Sequence, residues 1–351
     1  VTLAGLIVSL AFLVFAKFER TAISTLIEQE FGQNQRQTHS LLFSKRLPLQ
    51  ARHGVQQKIS SGLMEAELIL PVIFKTGLVT REINLIVSPD NPLLRAERIE
   101  KGGLKEKTGL GISVALADAL GLQLGQTVTL TTRDATPETA SIPISHRNEN
   151  LMGYIATLRR DDFIRIWKTP AAFNSVLYFL PHNAMIDSRA LLNSIPALSG
   201  IQTKSFEKIA FSKTFEENIG VMENFMIGFS ILIAMGVIYN NARIHLSERQ
   251  SELALLQAIG FNRSELTRLF WTDTVLLFFF ALAPGLWAGR IFVLWIMLSI
   301  ETEMFRMPLQ VEPETYFWAV IILITGLLST ALLIQPQLHK LPFLTVLKAR
   351  E

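Results

Sequence analysis

The sequence predicts an α-helical membrane bundle of four transmembrane helices carrying an α+β extracytoplasmic domain on a helical stalk. Three observations predict it. Apolar residues concentrate in four stretches, 1–16, 219–242, 270–300 and 315–334, and the last three reach the roughly 20 residues that a bilayer-spanning helix needs. Between the first two lie residues 17–218, where strand-like and helix-like periods alternate. Lysine and arginine are distributed unevenly over the short connections. A chain of 351 residues with 49% hydrophobic content and a mean hydropathy of +0.33 is long enough for two domains and too apolar for an ordinary soluble enzyme.

The opening "VTLAGLIVSLAFLVFA" reads as a span cut at its start, with no initiator Met and no preceding basic residue. Val14-Phe15-Ala16 would also suit a signal peptidase, and either reading puts the next domain on the same side. "ERTAISTLIEQEFG" then sets Ile23, Leu26, Ile27 and Phe31 on one helical face and carries the span outward as far as Gly32. Within 17–218, "QTVTLTT" (Gln126 to Thr132), "SIPIS" (Ser141 to Ser145) and "NSVLYFL" (Asn174 to Leu180) read as strands. "SVALADALG" has helical spacing and a C-terminal Gly121, and "DDFIRIW" starts a second short helix on the capping-type Asp161. "SFEKIAFSKTFEENIGVMENF" returns the chain to the membrane through Ile219, Met222 and Met226.

Arg243, Arg249, Arg263 and Arg268 follow the second span, and Lys340, Lys348 and Arg350 follow the fourth, so both places read as cytoplasmic. The connection "SIETEMFRMPLQVEPE" has glutamates and only Arg306, which suits the opposite face. The domains are therefore span 1 (1–16), the extracytoplasmic domain with its stalk helices (17–218), span 2 (219–242), a cytoplasmic element (243–269), span 3 (270–300), an outer loop (301–314), span 4 (315–334) and a cytoplasmic tail (335–351).

The cytoplasmic element is the most informative stretch. Ser247 and Gln250 are spaced as a capping box, as are Asn262 and Glu265. Leu246, Leu253, Leu256 and Ile259 share an apolar face, while Glu248, Arg249 and Glu252 are polar. Gly260 ends the first helix and Asn262 opens the second, giving a helical elbow. Two readings stand: a solvated loop with interfacial helices, or a docking surface that receives force from a cytoplasmic partner. In the third span, Ala281, Gly285 and Gly289 form successive small-x-x-x-small steps for close helix packing, within the bundle or against another membrane subunit. Pro284 predicts a kink, and Arg290 either snorkels to the outer interface or pairs with Glu223.

Several chemistries have no motif. A net charge of +3 with scattered basic residues gives no nucleic-acid footprint, and zero cysteines exclude thiolate catalysis and disulfides. "GGLKEKT" (Gly102 to Thr108) has Lys107 where a P-loop needs its second glycine, and "GLGISV" has Val114 where a dinucleotide fingerprint needs its last. The histidines never pair at i, i+4, although His146 and His182 could meet in space, and no nucleophile elbow is present. No cofactor or metal site in the chain itself is expected.

"IYNNARIHLSERQSELALLQAIGFNRSEL" resembles the signature of FtsX-like permeases, the membrane subunits of MacB-type and lipoprotein-exporter-type ABC transporters. The residues that carry the likeness are Glu248, Arg249, Glu252, Leu253, Leu256, Ala258, Ile259 and Gly260. "GISVALADALGLQLGQTVTL", with Gly121 and Gly125, is similar to part of that family's periplasmic core domain, and "LPFLTVLKARE" to the end of its long, two-repeat members. The resemblance implies the C-terminal repeat of a larger permease in a bacterial cytoplasmic (inner) membrane. It implies a MacB-type periplasmic core, a separate ATPase that binds ATP and pushes on the elbow, a second permease half or repeat, and a periplasmic adaptor. Glu248, Arg249, Glu252, Leu253, Leu256, Gly260, Asn262 and Glu265 are then the ATPase-coupling residues, and the cargo is an amphiphile such as a lipid, lipoprotein or peptide. Two alternatives remain open at this stage: an ATPase-driven scaffold that activates a cell-wall hydrolase, and a membrane-anchored enzyme without an ATPase.

Overall fold

The computed structural model describes residues 2–59, 62–77, 79–100, 109–134, 136–180, 188–195, 197–299 and 307–339. "GGLKEKT", His182, Arg306, Lys340, Lys348 and Arg350, and with them the readings of the P-loop-like segment, the His146–His182 pair and the tail, lie outside the described residues. In chain order the elements begin α1 (Thr2–Ile27), a π-helical turn Glu28–Asn34, β1 (His39–Pro48), α2 (Arg52–Lys58), β2 (Leu63–Thr76) and β3 (Val79–Ser88). They continue β4 (Leu110–Ser113), α3 (Val114–Ala119), β5 (Thr127–Thr132), β6 (Thr139–Asn148), β7 (Ile155–Arg159), α4 (Arg160–Trp167) and β8 (Ala172–Phe179). Last come α5 (Ser188–Ser194), β9 (Leu198–Thr203), α6 (Lys204–Ala258), α7 (Arg263–Ser299) and α8 (Pro313–His339). The chain divides into a helical unit (Val1–Ile23, Phe215–Ile300, Leu309–Glu351) and a sheet unit (Ser24–Thr214, Glu301–Pro308).

In the helical unit, four helices are long and apolar enough to cross a membrane: Thr2–Asn34, Lys204–Arg249, Glu265–Ser299 and Pro313–Gln335. Their exposed large apolar side chains, such as Leu232, Phe280, Trp287 and Leu332, suit a lipid solvent. α1 binds α6 by polar rungs that satisfy side chains with no water to turn to: Thr2 Oγ1 donates to Asn241 Oδ1 at 2.8 Å and Ser9 Oγ to the Ser230 carbonyl at 2.8 Å. Near the end of the apolar stretch, Lys17 Nζ lies 2.6 Å from Glu223, with Arg20 at 3.5 Å. Glu223 therefore pairs with α1 and not with Arg290, because the α1 cations reach it first.

In the sheet unit the strands run β3-β7-β4-β6-β5-β2-β8-β1-β9, and β3 also pairs with β2. That last pairing closes β2, β3, β7, β4, β6 and β5 into a ring. Its interior is filled by Leu70, Val72, Phe74, Leu85, Leu110, Ile112, Val128, Leu130, Ile142 and Ile144. β2 is the shared wall: its first residues, Leu63–Glu67, pair with β8, and from Leu68 onward it pairs with β3. A second core of Leu41, Val55, Met64, Phe173, Val176 and Leu198 fills the β8-β1-β9 side. β2 and β3 are a hairpin whose turn opens on Gly77 at φ +54, a conformation that suits glycine.

Two sequence expectations need correction. Ser247 and Gln250 do not start a helix, because α6 runs unbroken from Lys204 to Ala258 and no glycine or proline interrupts it between Gly236 and Gly260. Asp161 is not the cap of α4: the cap position is Arg159, and Asp161 and Asp162 sit in the first turn, where carboxylates favour the positive end of the helix dipole.

Candidate functional site

The turn between α6 and α7 is built from residues 259–262 and is closed at both ends by backbone chemistry. At the α6 end, Gly260 has φ +111, and the Phe261 N–H returns to the Leu256 carbonyl at 3.1 Å. This is the six-to-one bond of a glycine-terminated helix, and it occupies a carbonyl that would otherwise have no partner. At the α7 end, the Asn262 N–H donates to Glu265 Oε2 at 2.9 Å, the reciprocal half of a capping box. Behind the turn, Arg249 Nη1 reaches Asp273 Oδ2 at 2.6 Å and ties the end of α6 to α7.

One side of the elbow is anchored. Leu246 and Trp271 pack on Ala242 and Ile334, and Leu266 is buried. Other apolar residues are presented outward: Leu255 is 56% exposed, Ile259 69% and Phe261 46%. Glu248, Glu252 and Glu265 are exposed beside them. Ile259 thus leaves the apolar face expected for it, because the helix unwinds one residue before it, at Ala258. Leu256 is half-buried, and the side chain of Leu253 lies outside the described residues. Leu255 and Phe261 were not singled out from sequence. The available signal was the run of apolar residues continuing past the helix-ending glycine, where packing no longer has a use for them.

The small residues of α7 meet α1. A Cβ on Gly285 would stand 2.8 Å from Leu10 Cδ2, and one on Gly289 would stand 2.7 Å from Val14 Cβ. Ala281 is fully buried with Leu6 and Ile238. Gly5, which the sequence reading passed over, does the same for α1 on α6: its Cβ would stand 2.5 Å from Val237 Cγ2.

In the sheet unit the notable polar cluster surrounds residues 93–98. Glu65 accepts from the N–H groups of Leu93 (2.6 Å) and Leu94 (3.0 Å), and fully buried Glu67 accepts two bonds from Arg95 at 2.9 and 3.1 Å. Glu97 lies 3.5 Å from His146 Nε2, whose Nδ1 is 2.8 Å from Ser145 Oγ. Burial presses the Glu97 pKa upward, yet the neighbouring His146, Thr157 and Arg95 outweigh it and leave the group below its ordinary value. Ser145, His146 and Glu97 have the residue types of a hydrolytic triad. Their geometry is unsuited to it, since Ser145 is 2% exposed and its hydroxyl donates to the Leu110 carbonyl at 3.2 Å. Among the described residues no three His, Asp or Glu side chains are grouped to hold a metal ion.

A family model described as the FtsX-like permease C-terminal domain matches residues 224–340, which include the elbow. The extracellular domain of the noncanonic ABC-type transporter YknZ from Gram-positive bacteria is similar at 11% identity, over 47% of this chain and 98% of that one, with a TM-score of 0.33. The periplasmic region of MacB from Actinobacillus actinomycetemcomitans is similar at 10% identity, over 52% and 98%, with a TM-score of 0.33. No curated protein matches the chain.

Proposed function

We propose that this chain, whose residues 224–340 match the model of the FtsX-like permease C-terminal domain, is the membrane subunit of an ABC transporter of the mechanotransmission type. A separate cytoplasmic ATPase docks on the elbow, and its ATP-driven movement is transmitted to the extracytoplasmic sheet unit, which exports or extracts an amphiphile. The observation that carries the reading is the surface of the elbow. Leu255, Ile259 and Phe261 are exposed in the midst of Glu248, Glu252 and Glu265. A purely lipid-facing surface would not carry three carboxylates, which are expensive in hydrocarbon. A purely solvated loop has no use for three large exposed apolar side chains. A surface with both fits a protein pocket that is apolar at its centre and cationic at its rim.

The rigid closure of the turn supports the same reading, because a joint that receives a load must not unwind. The excess of arginine after the second span supports a cytoplasmic location for it. The test is co-purification of the complete permease, solubilised in detergent, with its ATPase. Wild type should retain the ATPase, whereas Glu252→Arg and Ile259→Asp should lose it while still reaching the membrane in normal amounts. Charge reversal at an exposed helix position costs within about 0.5 kcal/mol of stability, so a variant that failed to reach the membrane would assign Glu252 a structural role. Absence of any ATPase from the wild-type sample would sink the proposal.

A further inference from the structure

We propose that the sheet unit binds a short peptide with a free carboxyl terminus and apolar side chains, in a cleft between the 89–99 segment and the C-terminal ends of β3 and β7. The cleft has a volume of about 370 Å³, within the usual range for small-ligand sites, roughly 300–1,000 Å³. Arg36, Arg159 and Asp90 line it, together with Leu93, Ile99 and the half-buried edge of the Glu97–His146 pair. Among the described residues, the side chains of Arg36 and Arg159 make no ion pair and no hydrogen bond, while Asp90 lies in the field of the Arg160 guanidinium. Two arginines on one concavity therefore keep their guanidinium donors available, whereas Arg95, Arg133 and Arg46 spend theirs on Glu67, Glu82 and Asp134.

The chemistry of the ligand follows from the sign and neighbours of those charges. Two guanidinium groups suit one carboxylate, and Asp90 suits an ammonium or amide N–H a few ångströms further along the same molecule. Leu93, 55% exposed, and Ile99, 37% exposed, offer apolar contact between them. An acyl chain would leave the guanidinium groups of Arg36 and Arg159 without a partner, and a bare anion would leave the apolar wall unexplained. The wall is also fixed in advance. The carboxylate of Glu65 holds the Leu93 and Leu94 amides, the Arg36 N–H donates to the Leu94 carbonyl at 2.8 Å, and the Ala96 N–H donates to the Asn34 carbonyl at 2.9 Å. Preorganisation of this kind lowers the ordering cost of binding. The proposal deepens the transporter reading by naming a class of cargo or partner, and it rests on that reading only for the purpose of binding.

The test is calorimetric titration of the full chain in phosphatidylcholine nanodiscs with trileucine, its C-terminal amide and its N-acetyl form, with no ATPase present. Trileucine should bind saturably, and the amide and the N-acetyl form should each bind at least about tenfold more weakly, as expected for losing a charge-assisted hydrogen bond. Arg159→Gln and, independently, Arg36→Gln should weaken trileucine by about tenfold while leaving the amide unchanged. Neither variant removes an ion pair or side-chain hydrogen bond among the described residues, so thermal midpoints should stay close to wild type, and Arg159→Lys should restore part of the preference. Equal binding of acid and amide, no saturable binding, or an acid preference that survives both substitutions would overturn the proposal. So would competition by phosphatidylglycerol nanodiscs that depends on the two arginines in the absence of peptide binding, which would make the occupant a lipid headgroup. Loss of ATPase co-purification leaves this titration untouched, so the two failures are distinguishable.

Discussion

At the scale of single residues, the sheet unit is pinned by charges that its strands bury. Glu67 is fully buried, and Arg95 grips both of its oxygens. Burial alone would lower the Arg95 pKa, but Glu67, with help from Glu30 and Glu97, raises it instead. Glu67→Ala would leave that guanidinium unpaired and should cost about 3–5 kcal/mol, read as lost amide-exchange protection in β2 and β3. Glu67→Leu combined with Arg95→Leu should recover most of it, since the pair itself contributes little beyond an apolar replacement. If the double variant is as damaged as the single one, the pair is not the cause. Glu97 gives a pH dependence. Its folded pKa is depressed, so its contribution is present above the ordinary value of about 4.5 and is lost as pH falls through the lower folded value. Protection factors of the 93–99 amides should therefore fall on the acid side of about pH 4.5, and Glu97→Gln should flatten that slope. None of this was legible beforehand. "LMEAELIL" has two glutamates in an apolar run, and nothing local says that their partner lies 28 residues away.

At the scale of elements, legibility followed the range of the signal. Gly121, at φ +62, ends the α3 turn as its position predicts, and Ser113, whose hydroxyl accepts the Leu116 N–H, opens it. The Ser247–Gln250 pair shows the same residue types failing, because a cap works only where the backbone stops being helical, and α6 does not stop there. The longest hairpin, β2–β3, escaped notice, since Leu68 to Phe74 is nearly continuously apolar and carries Pro71. Close helix approach was visible in α7 as small-x-x-x-small, and the single Gly5–Ser9 step of α1, which meets α6 at Val237 and Ser230, was passed over because it is one step and not two in succession. Gly289→Val should overpack against Val14, costing roughly 1–3 kcal/mol, measured as a lower midpoint in detergent–SDS denaturation. Val14→Ala in the same chain should return much of it. A Gly289→Val protein as stable as wild type would mean that α1 and α7 do not meet there.

At the scale of the whole molecule, the four long apolar helices were legible because a bilayer imposes long apolar runs, while the closed ring of strands was not, because it depends on pairings distant in sequence. α1 and α6 each supply residues to both units, and α6 ends at the proposed docking elbow. A load applied there enters α6 and α7 together, across the turn 259–262 and the Arg249–Asp273 pair behind it. Both side chains are partly exposed, 47% and 35%, and exposed pairs contribute about 1 kcal/mol or less to stability. Breaking the pair should therefore leave the fold intact and act on transmission alone. Arg249→Ala should still co-purify with the ATPase and show an unchanged denaturation midpoint, but permease-stimulated ATP hydrolysis should drop several-fold. Arg249→Asp with Asp273→Arg should restore it, because the strut needs opposite charges across 2.6 Å and is indifferent to which helix carries which. Loss of co-purification in Arg249→Ala would instead make the arginine a direct docking contact. Failure of the exchange to rescue hydrolysis would show that the pair carries no load.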